Sequence, residues 1–417
     1  MHMRIVIYGI NYSPELTGIG KYSGEMAEWL ASRGHEVRVV TAPPYYPQWR
    51  IREGFSNIWS KEEKSYTDLA FNKGSGVSVY RCPLWVPEQP SGFKRLLHLA
   101  SFAFSSLPVM LYQVLWRPDV VVVIAPPLLC SPWAILLARL VGGKAWLHVQ
   151  DFEVDTALEL GLIRVGLLGR LILLIERWLM KRFDRVSTIS GRMLEKLGDK
   201  GVEKAQSDLF LNWVDCNKIF PLTHVSPLRN VLGIAAHEIV LLYSGNMGQK
   251  QGLQMIIEAA DQLQADASLR FVMCGEGSSY EKLRALAAGL GNIIWIPLQP
   301  VEQLNELLNL ADIHLLPQLS AAADLVMPSK LTGIFASGRP VIATATAGTE
   351  VWSMVEGKGI NTAPGDVQAF VAAIRKLAEN PQLRLQLGTS ARSFAEECLD
   401  RNKVLEQFEA KLAGLIG

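Results

Sequence analysis

The chain repeats one rhythm twice: short runs rich in β-branched residues, each followed by a longer stretch of helical periodicity. RIVIYGI, EVRVVTA, VVVVIAP, KAWLHVQ and RVSTIS in the first half read as strands bounded by glycine, proline or polar residues. Residues 20–33 and 132–140 read as intervening helices. Such alternation leaves few topologies open, namely parallel strands joined by right-handed crossovers in a doubly wound sheet. The segment NWVDCNKIFPLTHVSPLRN breaks the rhythm with polar residues, Pro221 and Pro227, and predicts a domain boundary. The pattern then restarts with EIVLLYSG, LRFVMCGEG, IIWIPLQ, IHLLPQ and RPVIATA. Helices are expected at 253–264, 280–288, 301–310 and 330–336.

The expected fold class is therefore α/β, with two doubly wound Rossmann-like domains facing across a cleft. The first spans 1–213 and the second 214–395, and a terminal helix at 396–417 returns to the first. Ligands of such sheets bind beyond the carboxyl ends of the strands.

Composition supports two buried cores, with 49% hydrophobic and 19% charged residues in 417. Lysine plus arginine number 41 against 40 acidic residues, a balance that excludes a bulk nucleic-acid binder. The five cysteines, Cys82, Cys130, Cys216, Cys274 and Cys398, are dispersed without a CxxC pair or a histidine cluster. They read as reduced core thiols of a cytosolic protein, and no metal is expected. Met3-Arg4 leads straight into a buried-strand pattern and not into a signal peptide.

Three stretches can carry chemistry. The first turn, YGINYSPELTGIGKYSGEMAEWL, sets Gly18 and Gly20 between a strand and a helix, where exposed amides favour an anion. A tight turn without a ligand uses glycine in the same way, but the loop at 11–17 is longer than such a turn needs. The second domain opens similarly, with Ser244, Gly245, Asn246, Gly248, Gln249 and Lys250 combining amides with a cation suited to a diphosphate. The plain alternative is a βα turn with a solvated lysine. In the third stretch, DLVMPSKLTGIFASGRPVIATA, Ser329 reads as a helix cap and Asp324 as a loop acceptor. Lys330 there opposes the helix dipole unless an anionic ligand offsets it.

These segments, with LHVQDFEVD, STIS and GINTAPGD, resemble glycosyltransferases of family 4 with the GT-B fold. Within that family the chain is most similar to the colanic acid biosynthesis fucosyltransferase group. The matching residues span 4 to about 347. The resemblance implies a retaining transfer from a nucleoside diphosphate sugar to a lipid-linked oligosaccharide, without bound metal. The first domain would hold the acceptor and the second the donor. By position, Gly18 and Gly20 would approach the diphosphate and Lys250 and Lys330 would neutralise it. Many family members carry two glutamates with seven residues between them at the third stretch, where this chain has Leu325 and Gly333. Asp324 or Glu276 would then substitute at the ribose.

His148 and Asp151 follow a strand and are placed at the cleft edge, on the sugar and the acceptor. The competing reading is a satisfied histidine and a helix-capping aspartate. Glu15, Lys21 and Tyr22 are further candidates for acceptor contact. Basic residues interleave with apolar ones at 93–116 and 162–183, as in a helix at an anionic interface or an ordinary amphipathic helix packed on a sheet. The first of these is long enough to span a membrane, but the strand DVVVVIAP follows it directly. Peripheral association with the cytoplasmic membrane face is the expectation. A non-hydrolysing nucleotide-sugar epimerase and a non-catalytic sugar-nucleotide-binding subunit are the rival functions, and another GDP- or UDP-sugar the rival donor.

Overall fold

The computed structural model describes residues 1–15, 18–66, 75–88, 92–155, 166–319 and 329–417, without the side chains of 64–66, 75, 167, 168 and 250. The chain divides into two compact units, Met1–Leu211 with Leu405–Gly417, and Asn212–Val404.

In the first unit β1 (Arg4–Tyr8), α1 (Gly18–Ser32), β2 (Glu36–Thr41), β3 (Ser60–Tyr66) and β4 (Ser75–Arg81) come first. They are followed by α2 (Gly92–Tyr112), β5 (Val120–Ala125), α3 (Ser131–Val141), β6 (Lys144–Val149), α4 (Leu167–Met180), β7 (Arg185–Thr188), α5 (Gly191–Asp199) and β8 (Ser207–Leu209). The strand order is β3-β4-β2-β1-β5-β6-β7-β8. Every pair is parallel except β3 against β4. The β3–β4 pair and β8 are absent from the periodicity reading. SKEEKSY offers no apolar alternation because β3 forms the edge of the sheet.

Handedness assigns the helices to faces. The connection β1–α1–β2 runs one way across the sheet, while those carrying α2, α3, α4 and α5 run the other way. Right-handed crossovers therefore put α1 on one face and α2 to α5 on the opposite face. The segment read as a possible membrane span is α2. It buries His98, Leu99, Phe102, Ala103, Ser106 and Met110 before the chain enters the buried strand β5. By length and composition, Gly92–Leu115 still qualifies as long and apolar enough to cross a membrane.

The second unit contains α6 (Leu228–Val231), β9 (Ile239–Ser244), α7 (Gln254–Gln262), β10 (Leu269–Cys274), α8 (Tyr280–Leu286), β11 (Ile293–Ile296), α9 (Leu304–Leu310) and β12 (Ile313–Leu316). After these come α10 (Lys330–Ala336), β13 (Val341–Thr344), α11 (Glu350–Val355), β14 (Gly359–Thr362), α12 (Val367–Glu379) and α13 (Pro381–Phe394). Its parallel sheet has the order β11-β10-β9-β12-β13-β14. β9 is central, and the direction of travel reverses between it and β12. That is the switch point at which such sheets bind ligands.

The unit limits fall two residues before, and nine residues after, the limits expected at 213 and 395. Val214 bridges Asp400, the Leu399 carbonyl accepts from the Val214 amide at 2.9 Å, and Asp215 pairs with Arg401 at 3.1 Å. These bonds keep residues 396–404 with the second unit. The last helix, α14 (Arg401–Ile416), serves the first unit from Leu405 onward. Phe408 stacks on Phe210 at 4.2 Å and meets Trp146 edge-on at 5.1 Å. Glu409 reaches His35 at 2.8 Å and Lys411 reaches Asp208 at 2.6 Å.

Four cysteines are buried and Cys398 is exposed, so the reading of all five as core thiols holds for four. None of them is in a disulfide.

Candidate active site

The site in the second unit is assembled by backbone approach. Gly245 follows β9, and its amide donates to the Cys274 carbonyl at 2.9 Å. The Met247 amide donates to the Glu276 carbonyl at 2.7 Å, and the Ser279 amide to the Met247 carbonyl at 2.8 Å. Two loops, one after β9 and one after β10, are thereby zipped together at the carboxyl edge of the sheet. A Cβ on Gly277 would stand 2.5 Å from the Met247 carbonyl oxygen, so glycine is required for this approach.

Lys330 lies over this loop pair. Its Nζ donates to the Tyr243 hydroxyl at 2.8 Å and stands 4.2 Å from the centre of the Tyr243 ring. A Cβ on Gly245 would be 2.5 Å from Lys330 Cε, so the lysine occupies the space that glycine leaves. No carboxylate pairs with Lys330 among the described residues, and desolvation lowers its pKa to about 8. A half-buried, desolvated ammonium with no counter-charge among the described residues suits an anion. Tyr243 is the residue that the sequence reading missed. In IVLLYS a tyrosine reads as one more core residue of a strand.

The other expected donor residues take varied places. Ser244 ends β9, Asn246 and Gln249 are exposed on the loop, and Gly248 precedes the turn Gln249–Gln251. The side chain of Lys250 lies outside the description. Asp324, Leu325 and Pro328 also lie outside the described residues. Glu276 is exposed on the loop after β10. Ser329 precedes α10 but makes no side-chain cap hydrogen bond, which corrects the capping role expected of it. Gly333, which stands where many relatives have a glutamate, faces Leu308. A Cβ there would come within 3.2 Å of Leu308 Cδ1.

In the first unit, Gly18 begins α1 with φ +58° and open space where a Cβ would point. Gly20 is different, since a Cβ there would strike Glu15 at 2.6 Å. Its absence of a side chain makes room for Glu15. Glu15 is itself buried. Its Oε1 accepts from the Tyr45 and Tyr46 amides at 3.1 and 3.0 Å, and its Oε2 from Asn11 at 2.9 Å. Desolvation raises its pKa, against those hydrogen bonds. The carboxylate fastens the long first loop to the segment after β2, and both oxygens are committed to the protein. Tyr22 is likewise buried, and the half-exposed Lys21 stands 3.9 Å from Glu25.

His148 requires the largest correction. It lies within β6, not beyond it, on the face covered by Phe210 at 4.8 Å. Its Nδ1 meets the Ser187 hydroxyl and its Nε2 meets the Gln150 amide nitrogen, both at 2.9 Å. Trp146 donates to the same hydroxyl at 2.7 Å. Desolvation lowers the His148 pKa to about 3, so the ring is neutral. Alternation along the strand decided this: Trp146 and His148 share the face that α14 covers. Asp151, beyond the strand end, stays partly exposed. Nearby, Glu153 accepts from the Leu128 amide at 2.7 Å, and desolvation raises its carboxyl to about 7.

This arrangement, two parallel doubly wound units with a lysine laid over a glycine loop at a switch point, is that of a nucleotide-sugar transferase. The glycosyl transferase 4-like domain model matches residues 17–213, and the glycosyl transferases group 1 model matches residues 226–394. The chain belongs to the family 4 glycosyltransferases. It is 44% identical, over 99% of its length and 100% of the relative's, to the Escherichia coli (strain K12) protein WcaI, which is assigned as a colanic acid biosynthesis glycosyl transferase. It is 20% identical to the N-acetyl-alpha-D-glucosaminyl L-malate synthase of Bacillus anthracis, over 96% of this chain and 95% of the other. Two solved structures share the GT-B fold at 16% identity. Sucrose-phosphate synthase of Thermosynechococcus elongatus has a TM-score of 0.75 and covers 99% of each chain. The Anabaena protein HepE in complex with UDP has a TM-score of 0.71 and covers 99% of this chain and 100% of its own. The epimerase alternative is not favoured by these relatives.

Proposed function

We propose that this glycosyltransferase moves fucose from GDP-fucose, with retention and without bound metal, to a lipid-linked oligosaccharide during synthesis of an exopolysaccharide of the colanic acid type. The observation that carries the donor-site reading is Lys330, a desolvated ammonium held over the Gly245 loop with no carboxylate partner among the described residues. In this reading its charge offsets the negative charge that develops on the leaving diphosphate, where a fixed cation lowers the barrier most. The polymer assignment is supported by the 44% identity to the Escherichia coli relative, and the fucose assignment by resemblance along the first loop and helix.

A panel of GDP- and UDP-sugars, scored by thermal stabilisation, tests the donor. GDP-fucose is expected to raise Tm most, and equal or greater stabilisation by another sugar nucleotide overturns the fucose assignment. The anomeric configuration of the product, read by NMR, tests retention. Unchanged turnover in excess chelator is expected, and loss of turnover overturns the metal-free reading.

We further propose docking on the cytoplasmic face of the membrane through the layer formed by α2, α3 and α4. Its support is an inversion of ordinary amphipathic packing. Leu171, Leu174, Ile175 and Trp178 of α4 are exposed, whereas Glu176 is buried against Lys200. Glu176 is the sole acidic residue in these three helices. Arg170 and Arg177 flank the apolar stripe, and Arg182 lies 4.6 Å from the Trp178 ring. Apolar side chains flanked by basic ones among the described residues complement anionic lipid.

A further inference from the structure

The position of Lys330 depends on a side chain from another part of the sheet. We infer that Tyr243 is the positioning residue of the donor site, its phenol holding the Lys330 ammonium over the Ser244–Gly248 loop where a diphosphate binds. This rests on the donor-site reading above and adds a residue to the same site.

The direction of each bond follows from the atoms available. Tyr243 has one hydroxyl hydrogen, and its oxygen lies 2.6 Å from the Asn246 carbonyl, which can only accept. The phenol therefore donates to the loop, and Lys330 donates to the phenol at 2.8 Å. Donating its own proton makes the phenol oxygen a better acceptor for the ammonium. The same residue offers the face of its ring at 4.2 Å, a second favourable environment for the cation. Tyr243 is itself buried at the penultimate position of β9, so its oxygen is fixed by the sheet.

The choice of a phenol has a physical reason. A carboxylate would hold the lysine more strongly, but it would cancel the charge and repel the ligand's phosphates. A neutral oxygen and a ring face orient the ammonium and leave its full charge for the diphosphate. Gly245 completes the arrangement, because any Cβ there would displace the lysine stem. Among the described residues, Tyr243 is the titratable group that touches Lys330. α10 carries no other charged residue, and the loop after β10 contributes only the exposed Glu276.

The test is a double-mutant cycle on GDP binding, measured by titration calorimetry from pH 7 to 9.5. Tyr243→Phe keeps the ring and its burial and removes the oxygen. It is expected to weaken GDP about tenfold, to lower kcat as well because the same ammonium faces the leaving diphosphate, and to move the alkaline loss of affinity to lower pH. Because the tyrosine acts through the lysine, Tyr243→Phe with Lys330→Ala is expected to lose no more than Lys330→Ala alone. Additive losses, or a Tyr243→Phe variant with the affinity and pH profile of the wild type, overturn the inference while leaving the donor-site reading in place. A Lys330→Ala variant that binds GDP as the wild type does removes the donor-site reading itself, and the inference with it.

Discussion

Gly275 meets Gly245 backbone to backbone: a Cβ on Gly275 would stand 2.0 Å from the Gly245 carbonyl oxygen. Both residues have positive φ, +141° and +127°, which favours glycine on conformational grounds as well. Gly275→Ala is expected to force the two loops apart, costing roughly 1–3 kcal/mol of backbone strain before the clash is counted. Urea unfolding is expected to show that loss, with GDP affinity falling at least tenfold. A variant with wild-type stability and affinity would show that the loops do not form the donor site as a unit.

Lys330 makes donor binding pH-dependent. Its pKa in the free protein is lowered to about 8 by desolvation, and a bound diphosphate moves it back up by favouring the charged form. Affinity is therefore full below pH 8 and falls as pH rises, by up to tenfold per unit, until the lysine of the complex also titrates. Calorimetry in buffers of different ionisation enthalpy is expected to detect proton uptake on GDP binding near pH 8 to 9. Binding without proton uptake in that window would exclude Lys330 from the phosphates.

Neutral buried histidines couple stability to acid. His148 in the first unit and His314 in the second both have pKa values lowered to about 3 by burial. Below about pH 6.5 the unfolded chain binds protons that these folded sites reject, so stability falls with falling pH. Each site contributes up to about 1.4 kcal/mol per pH unit. In urea unfolding between pH 7 and 5, His148→Gln is expected to flatten the slope for the first unit. It is also expected to leave GDP affinity unchanged, because the ring faces Phe210 and not a ligand. A fall in the rate of sugar transfer at unchanged stability and GDP affinity would return His148 to the site, on the sugar.

Flotation with liposomes tests the helical layer. Binding to anionic vesicles at low salt, weakened at high salt, is expected, since each basic residue near the surface contributes about 1 kcal/mol and screening reduces it. Leu174→Glu with Trp178→Glu is expected to abolish flotation while GDP binding persists. Absence of binding to anionic vesicles at low salt overturns the proposal, and so does retention that only detergent releases. Continued flotation of the double variant would move the contact away from α4.

The sequence by itself determined the strand–helix alternation of both units, the polar break near 214, and the glycine loop with Lys330. Each rests on local signals: β-branched runs, turn residues, and a cation placed against a helix dipole. Tertiary structure decided which candidates meet. Glu15 and Gly20 looked like ligand contacts, yet they pack on each other, because a loop returning from β2 supplies the amides that occupy the carboxylate. His148 looked like an edge residue, yet pairing of β6 with β5 and β7 and cover from Phe210, itself stacked on Phe408 of the last helix, make it core. Tyr243 carried no local signal at all. Its role arises only where β9 and α10, 87 positions apart at the Tyr243–Lys330 bond, are brought together by the sheet. Periodicity reports which way a residue faces along its own element, and burial and hydrogen-bond partners are set by elements distant in sequence.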